Sequence, residues 1–186
     1  MTALRYKNLI GFEINIWMDE LPLKLIQLNK ANWIKKGFEC GTKATKFSSV
    51  AVEVFRPMGA SYYYGMLGAR YTDEIEDKFV VSLPTNIDNS AFDNDFTYST
   101  RGLGNVSLKN SEWYSKYILS GVESVNGNIP KEGLLTFQNL ALSDVGSCGF
   151  LFECLSASVL TLLTSECVPR NFLEAEQLLN FDVRSV

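Results

Sequence analysis

The chain has 186 residues, of which 46% are hydrophobic and 20% charged, with a net charge of −4 and no histidine. That length suits one folded domain, 1–186, whose core needs no staples, and the apolar-to-charged balance excludes disorder, collagen-like repeats and long coiled coils. The negative charge argues against a general attraction to nucleic acid or an anionic membrane, although the first fifty residues carry +4 and the remainder −8.

In chain order, Leu9 to Trp17 alternates Ile10, Phe12, Ile14 and Ile16 with smaller or polar residues, the period of a half-buried strand. From Asp19, Glu20 and Pro22 through Lys36, the apolar positions Leu25, Leu28 and Ala31 predict a helix ending at Gly37. Ser49 to Phe55 reads as a strand stopped near Pro57, and Lys78 to Leu83 as another stopped at Pro84. Between them, the aromatic-rich stretch Ser61 to Tyr71 favours a strand that its two glycines weaken. Residues 85–110 are rich in Asn, Asp, Ser and Gly and predict a long polar loop, with a possible edge strand from Phe92 to Tyr98.

A helix is expected from Asn110 or Ser111, with an apolar stripe through Trp113, Tyr117, Ile118 and Val122. Leu134 to Leu142 alternates as a strand, and Asp144 to Ser147 is expected to cap an apolar helix from Gly149. Glu153 and Glu166 interrupt that last run, which favours a buried helix over a membrane span. A short amphipathic helix from Asn171 to Leu179 follows. Strands grouped in the middle without regular βα alternation predict an α+β fold: a mostly antiparallel sheet packed on one side by two to three helices.

From Trp113 to Thr164 the predicted order is helix, strand, helix, and the strand runs through Asp144-Val145-Gly146-Ser147-Cys148 toward Phe152. This stretch resembles the second half of the ribosomal-protein-S5-domain-2-like fold, as in the fourth domain of elongation factor G. There a strand enters an Asp-Val-Asp-Ser-Ser turn before an apolar helix; Gly146 stands here in place of the second Asp. The resemblance implies an α+β fold and, less directly, contact with the ribosome.

Without histidine there is no Ser–His or Cys–His pair and no histidine-containing metal site. Cys40, Cys148, Cys154 and Cys167 lack zinc-motif spacing and disulfide density, and the amino terminus lacks a signal-peptide pattern, so a reducing, cytoplasmic setting is expected. Asp88, Asp93 and Asp95 offer oxygen ligands, but the calcium-loop pattern fails at its sixth position and at Gly104, its twelfth. The loop is therefore read as a solvated turn, as is the acidic run Asp73, Glu74, Glu76 and Asp77. No P-loop is present, and Gly102-Leu-Gly104 is too short for a dinucleotide fingerprint. No cofactor is expected.

These exclusions leave a noncatalytic protein-binding module, of immunity or small-inhibitor type, as the functional reading, with another protein as partner. Its binding residues would be Tyr62, Tyr63, Tyr64, Arg70, Tyr71, Asp73, Asp77, Asp93, Asp95, Tyr98 and Arg101, because aromatics and charges gather there in loops and strand ends. One alternative is an RNA-contacting or translation-associated domain using Lys30, Lys35, Lys36, Lys43 and Lys46. Another is a transferase that resembles mono-ADP-ribosyltransferases in the order Arg70, Ser99-Thr100 and Glu174-Ala-Glu176, with Arg101 in place of the third motif residue.

Overall fold

The structure is a computed structural model that describes residues 3–22, 32–39, 41–73, 77–85, 87–89, 106–110, 112–125 and 127–180. In chain order these form β1 (Leu4–Lys7), β2 (Glu13–Met18), β3 (Asn32–Phe38), β4 (Ser49–Met58), β5 (Ser61–Thr72), β6 (Phe79–Thr85), β7 (Ile87–Asn89) and β8 (Val106–Asn110). Then come α1 (Glu112–Ser124), β9 (Gly133–Ser143), α2 (Gly149–Thr164) and α3 (Phe172–Leu179). The strands join in one sheet of order β1-β2-β4-β5-β9-β6-β3, with β8 beside the end of β9 and β7 on β8. Among the described strands, β6 and β9 alone run parallel and the other pairs are antiparallel. The fold is α+β, as expected.

Period-two alternation gives the sheet two different faces. On one, Ile14, Ile16, Val52, Val54, Leu67 and Val81 meet the helices, which contribute Ile118 and Val122 from α1, Leu151, Phe152, Leu155 and Val159 from α2, and Ala175 and Leu179 from α3. Each of the larger of these side chains, the valines, leucines, isoleucines and Phe152, stabilises the fold by about 1.5–3 kcal/mol through its burial. Two glycines set how closely the layers approach. A Cβ at Gly65 of β5 would lie 3.0 Å from Leu151 and 3.1 Å from Leu155 and Phe152, and at Gly121 of α1 it would meet the Glu153 carbonyl and Ser156 hydroxyl of α2. Among the described residues no helix is long and apolar enough to cross a membrane.

Several expectations change. Asn32–Phe38 is a strand on β6, not the end of a helix, because Ile34, Lys36 and Phe38 alternate with Trp33, Lys35 and Gly37 and pair with Leu83, Val81 and Phe79. The remainder of that predicted helix, residues 23–31, lies outside the described residues. The first predicted strand starts only at Glu13, since Leu9 and Ile10 form a turn, and it pairs with β1, a strand not anticipated. Pro57 and Pro84 lie inside strands rather than ending them. The β2–β4 ladder stops at Phe55 and the β6–β9 ladder at Ser82, so neither proline is asked for a donor on that side. The N-cap of α2 is Cys148, with no side-chain hydrogen bond, so Asp144 to Ser147 does not supply the cap. The predicted loop at 85–110 is strand at both ends, where Thr85 closes β6, Ile87–Asn89 is β7 and Val106–Asn110 is β8 paired with it, and its predicted strand at Phe92 to Tyr98 lies outside the described residues.

Candidate functional site

Three turns share one end of the sheet. The register places Glu13 opposite Phe55, Met58 opposite Ser61, and Leu142 opposite Gly65, which brings the β1–β2, β4–β5 and β9–α2 turns side by side. In the first, the Asn8 carboxamide oxygen accepts from the backbone N–H of Ile10 at 3.1 Å and of Phe12 at 2.9 Å. Gly11, at φ +83°, completes the turn, a conformation that only glycine takes without strain. Leu9 and Ile10 are thereby held at the apex in solvent, Ile10 70% exposed.

The β9–α2 turn is fixed more firmly. Ser143 Oγ accepts from the N–H of Val145 at 3.4 Å and Gly146 at 3.3 Å, and forms a 2.7 Å hydrogen bond with the Tyr62 hydroxyl. Ser147 Oγ accepts from Ser143 N at 2.8 Å and donates to the Tyr64 carbonyl at 2.7 Å, while Tyr64 N donates to Gly146 O at 2.8 Å. Val145, at the apex of this clamped turn, is 77% exposed. Met58 is exposed on the turn between them, where Ser61 Oγ donates to its carbonyl. Toward α3, the buried Phe12 ring meets Phe172 edge-on at 5.2 Å and lies under the Arg56 guanidinium at 5.0 Å, and the neighbouring Leu173 is exposed. Lone exposed apolar residues need no explanation. Leu9, Ile10, Met58 and Val145 gathered on adjacent hydrogen-bonded turns form a preorganised apolar rim.

The sheet face opposite the helices holds a second unusual group. Glu53, fully buried in β4, accepts from Asn15 Nδ2 at 2.8 Å and from the Tyr64 hydroxyl at 3.1 Å. Asn15, Glu53, Met66 and Ala141 form one row across β2, β4, β5 and β9, and all are buried. A buried acidic side chain is tolerated when hydrogen-bond partners satisfy it, and Asn15 and Tyr64 are among the partners of Glu53. The arrangement holds Glu53 in place between neighbouring strands.

Of the binding residues expected from sequence, the described ones fall at the two ends of β5. Tyr62 reaches the apolar rim through Ser143, Tyr64 is buried against Glu53, and Tyr63 packs partly into the helix-side core. Arg70, Tyr71, Asp73 and Asp77 lie toward the other end of β5, whose 12 residues span roughly 40 Å. There Tyr71 donates to the Glu132 carbonyl at 2.8 Å. Burial raises its phenol pKa, Thr45 counteracts through a hydrogen bond, and Asp73 and Glu132 raise it further. Asp73 and Asp77 are exposed. Asp93, Asp95, Tyr98 and Arg101, with Lys30, Ser99 and Thr100, lie outside the described residues.

The remaining groups with chemistry are scattered. Arg70 belongs to the face opposite the helices and Glu176 to α3, so the sheet separates them. Lys36 pairs with Glu123 and Lys46 with Glu166, and the backbone of Lys43 forms an isolated β-bridge with Pro130. Cys148, Cys154 and Cys167 are free thiols. Burial, then the charge of Glu153 and the proximity of Cys148, push the Cys154 pKa up to about 12, the signature of an inert core thiol. Among the described residues no group of three or more His, Cys, Asp or Glu side chains could hold a metal ion. No protein-family model, curated protein or solved structure matches the chain. Sequence reasoning passed over two features that were visible in it: the lone Glu53 inside an apolar run, and the Asn8 to Gly11 turn that turns Leu9 and Ile10 outward.

Proposed function

We propose that this chain is a noncatalytic protein-binding module that docks a protein partner through the apolar rim of Leu9, Ile10, Met58 and Val145. The observation that carries the reading is that these side chains crown adjacent turns whose backbone is already held by hydrogen bonds, so binding need not order the turns themselves. Burying exposed apolar area on a rigid frame is how interface centres gain affinity. A preformed surface of this kind suits an immunity-type or small inhibitor protein meeting a cleft. The acidic and aromatic groups at the far end of β5 are too distant to join the same contact.

The test is affinity capture with wild-type bait beside an Ile10→Ser, Met58→Ser, Val145→Ser variant of matched thermal stability. The reading expects one stoichiometric protein on the wild type and its loss from the variant. A partner retained equally by both would overturn it, as would recovery of nucleic acid that falls steeply with salt.

A further inference from the structure

The two edges of the sheet are finished differently. At β1, the Tyr6 hydroxyl donates to the Pro169 carbonyl and α3 packs beside the strand. At the other edge, β3 pairs with β6 alone among the described residues, and five of its seven residues are exposed. In an antiparallel pair every second residue of an edge strand turns its N–H and C=O away from the partner. Among the described residues, β3 therefore presents a ladder with no second partner.

Its side chains indicate what would fit. Ile34, Lys36 and Phe38 face the helix side, where Lys36 is bound to Glu123 and Phe38 lies 6.0 Å from Phe79. Trp33, Lys35 and Gly37 share the opposite side, and the stem of Lys78 lies directly against Gly37. Neither Lys35 nor Lys78 makes an ion pair among the described residues. One side of this edge thus offers an aromatic ring followed by two ammonium groups with no ion pair among the described residues, in a chain whose net charge is −4.

We infer that β3 is a strand-addition site for an extended acidic peptide segment of a partner, a site separate from the apolar rim. Run antiparallel to β3, the segment places carboxylates at two alternate positions beside Lys78 and Lys35 and an aromatic side chain beside Trp33. The ladder supplies affinity and the alternate side chains supply selection. A second copy of this chain is a poor occupant, because antiparallel pairing of two β3 strands centred on one another sets Lys35 against Lys35, and like charges directly opposite destabilise a pair.

The test uses a labelled, end-capped heptapeptide, Thr-Glu-Thr-Glu-Thr-Tyr-Thr, titrated with the full chain and followed by fluorescence anisotropy. The inference expects saturable binding that weakens at least about tenfold in Lys35→Glu, consistent with loss of one favourable charge pair and gain of a repulsive one. Lys78→Glu, whose side chain is outside the ladder, should weaken it as well. A peptide with lysines replacing its glutamates should bind Lys35→Glu better than wild type, and N-methylation of the amides facing β3 should abolish binding. Absence of saturable binding, binding indifferent to Lys35→Glu, or binding that survives N-methylation would each overturn the inference. So would a dimer in sedimentation that Lys35→Glu leaves intact and that the peptide cannot dissociate.

Discussion

The two faces of the sheet are cut from the same strands yet hold the fold by different means. On the helix side, β4 contributes Val50, Val52 and Val54, which are completed by Leu151, Phe152 and Leu155 of α2. Across the pleat the same strand contributes Ala51 and Glu53, and Glu53 depends on Asn15 and Tyr64. Apolar packing is nondirectional and its loss scales with the volume removed, whereas a buried carboxylate depends on specific donors at specific distances. The comparison teaches that burial alone does not distinguish the faces; tolerance to substitution does.

The largest test of that contrast is Leu155→Ala, which removes atoms packed on Gly65 and should cost about 3 kcal/mol in urea denaturation. A cost below that of an exposed leucine would mean that α2 is not the centre of the core. Glu53→Met keeps the bulk of the side chain but removes the acceptor of both Asn15 Nδ2 and the buried Tyr64 hydroxyl, and should cost about 1–3 kcal/mol. An unchanged midpoint would show that the carboxylate is not required, and the two faces would then be alike.

The smallest effect is in the alkaline limb. Tyr6, Tyr71 and Tyr114 pack against the helix-side core and have phenol pKa values raised above the ordinary 10.0. Burial is the first cause for each, aided by Glu174 at Tyr6 and by Cys148 and Asp144 at Tyr114. The folded state holds these protons more tightly than the unfolded chain. Their contribution is therefore intact below the unfolded value and is lost as pH rises through the folded one. Phenolate absorbance followed alongside unfolding should show stability falling above about pH 10, and a flat limb would remove these tyrosines from the account.

Much of this architecture is legible in the residues. α1, α2, α3 and β9 announce themselves by long periodic runs, and β5 by its aromatic alternation despite Gly65 and Gly68. β3 is harder to read, because Leu25, Leu28 and Ala31 carry helical spacing right up to Asn32, and the strand shows itself only through its pairing with β6. Pro57 and Pro84 mislead for a related reason: whether a proline ends a strand depends on which side the neighbour lies, and that is a property of the sheet. The rim was partly visible in the Asn8 to Gly11 turn. The meeting of three turns was not, since it follows from register rather than from any one segment. The tyrosine run identified the right strand but not which ring is buried.

The position of β9 has a consequence for how the molecule is made. It lies between β5 and β6 and is the only described strand that joins β1-β2-β4-β5 to β6-β3. A nascent chain halted before Gly133 therefore carries two incomplete sheets, each with an open flank waiting for the same eleven-residue insert. At about 5–20 residues per second, the interval between synthesis of Thr72 and Ser143 is on the order of ten seconds. Closure at such sequence separation is slow in itself. The arrival of β9 thus closes both flanks in one step and makes one sheet of two sets of strands.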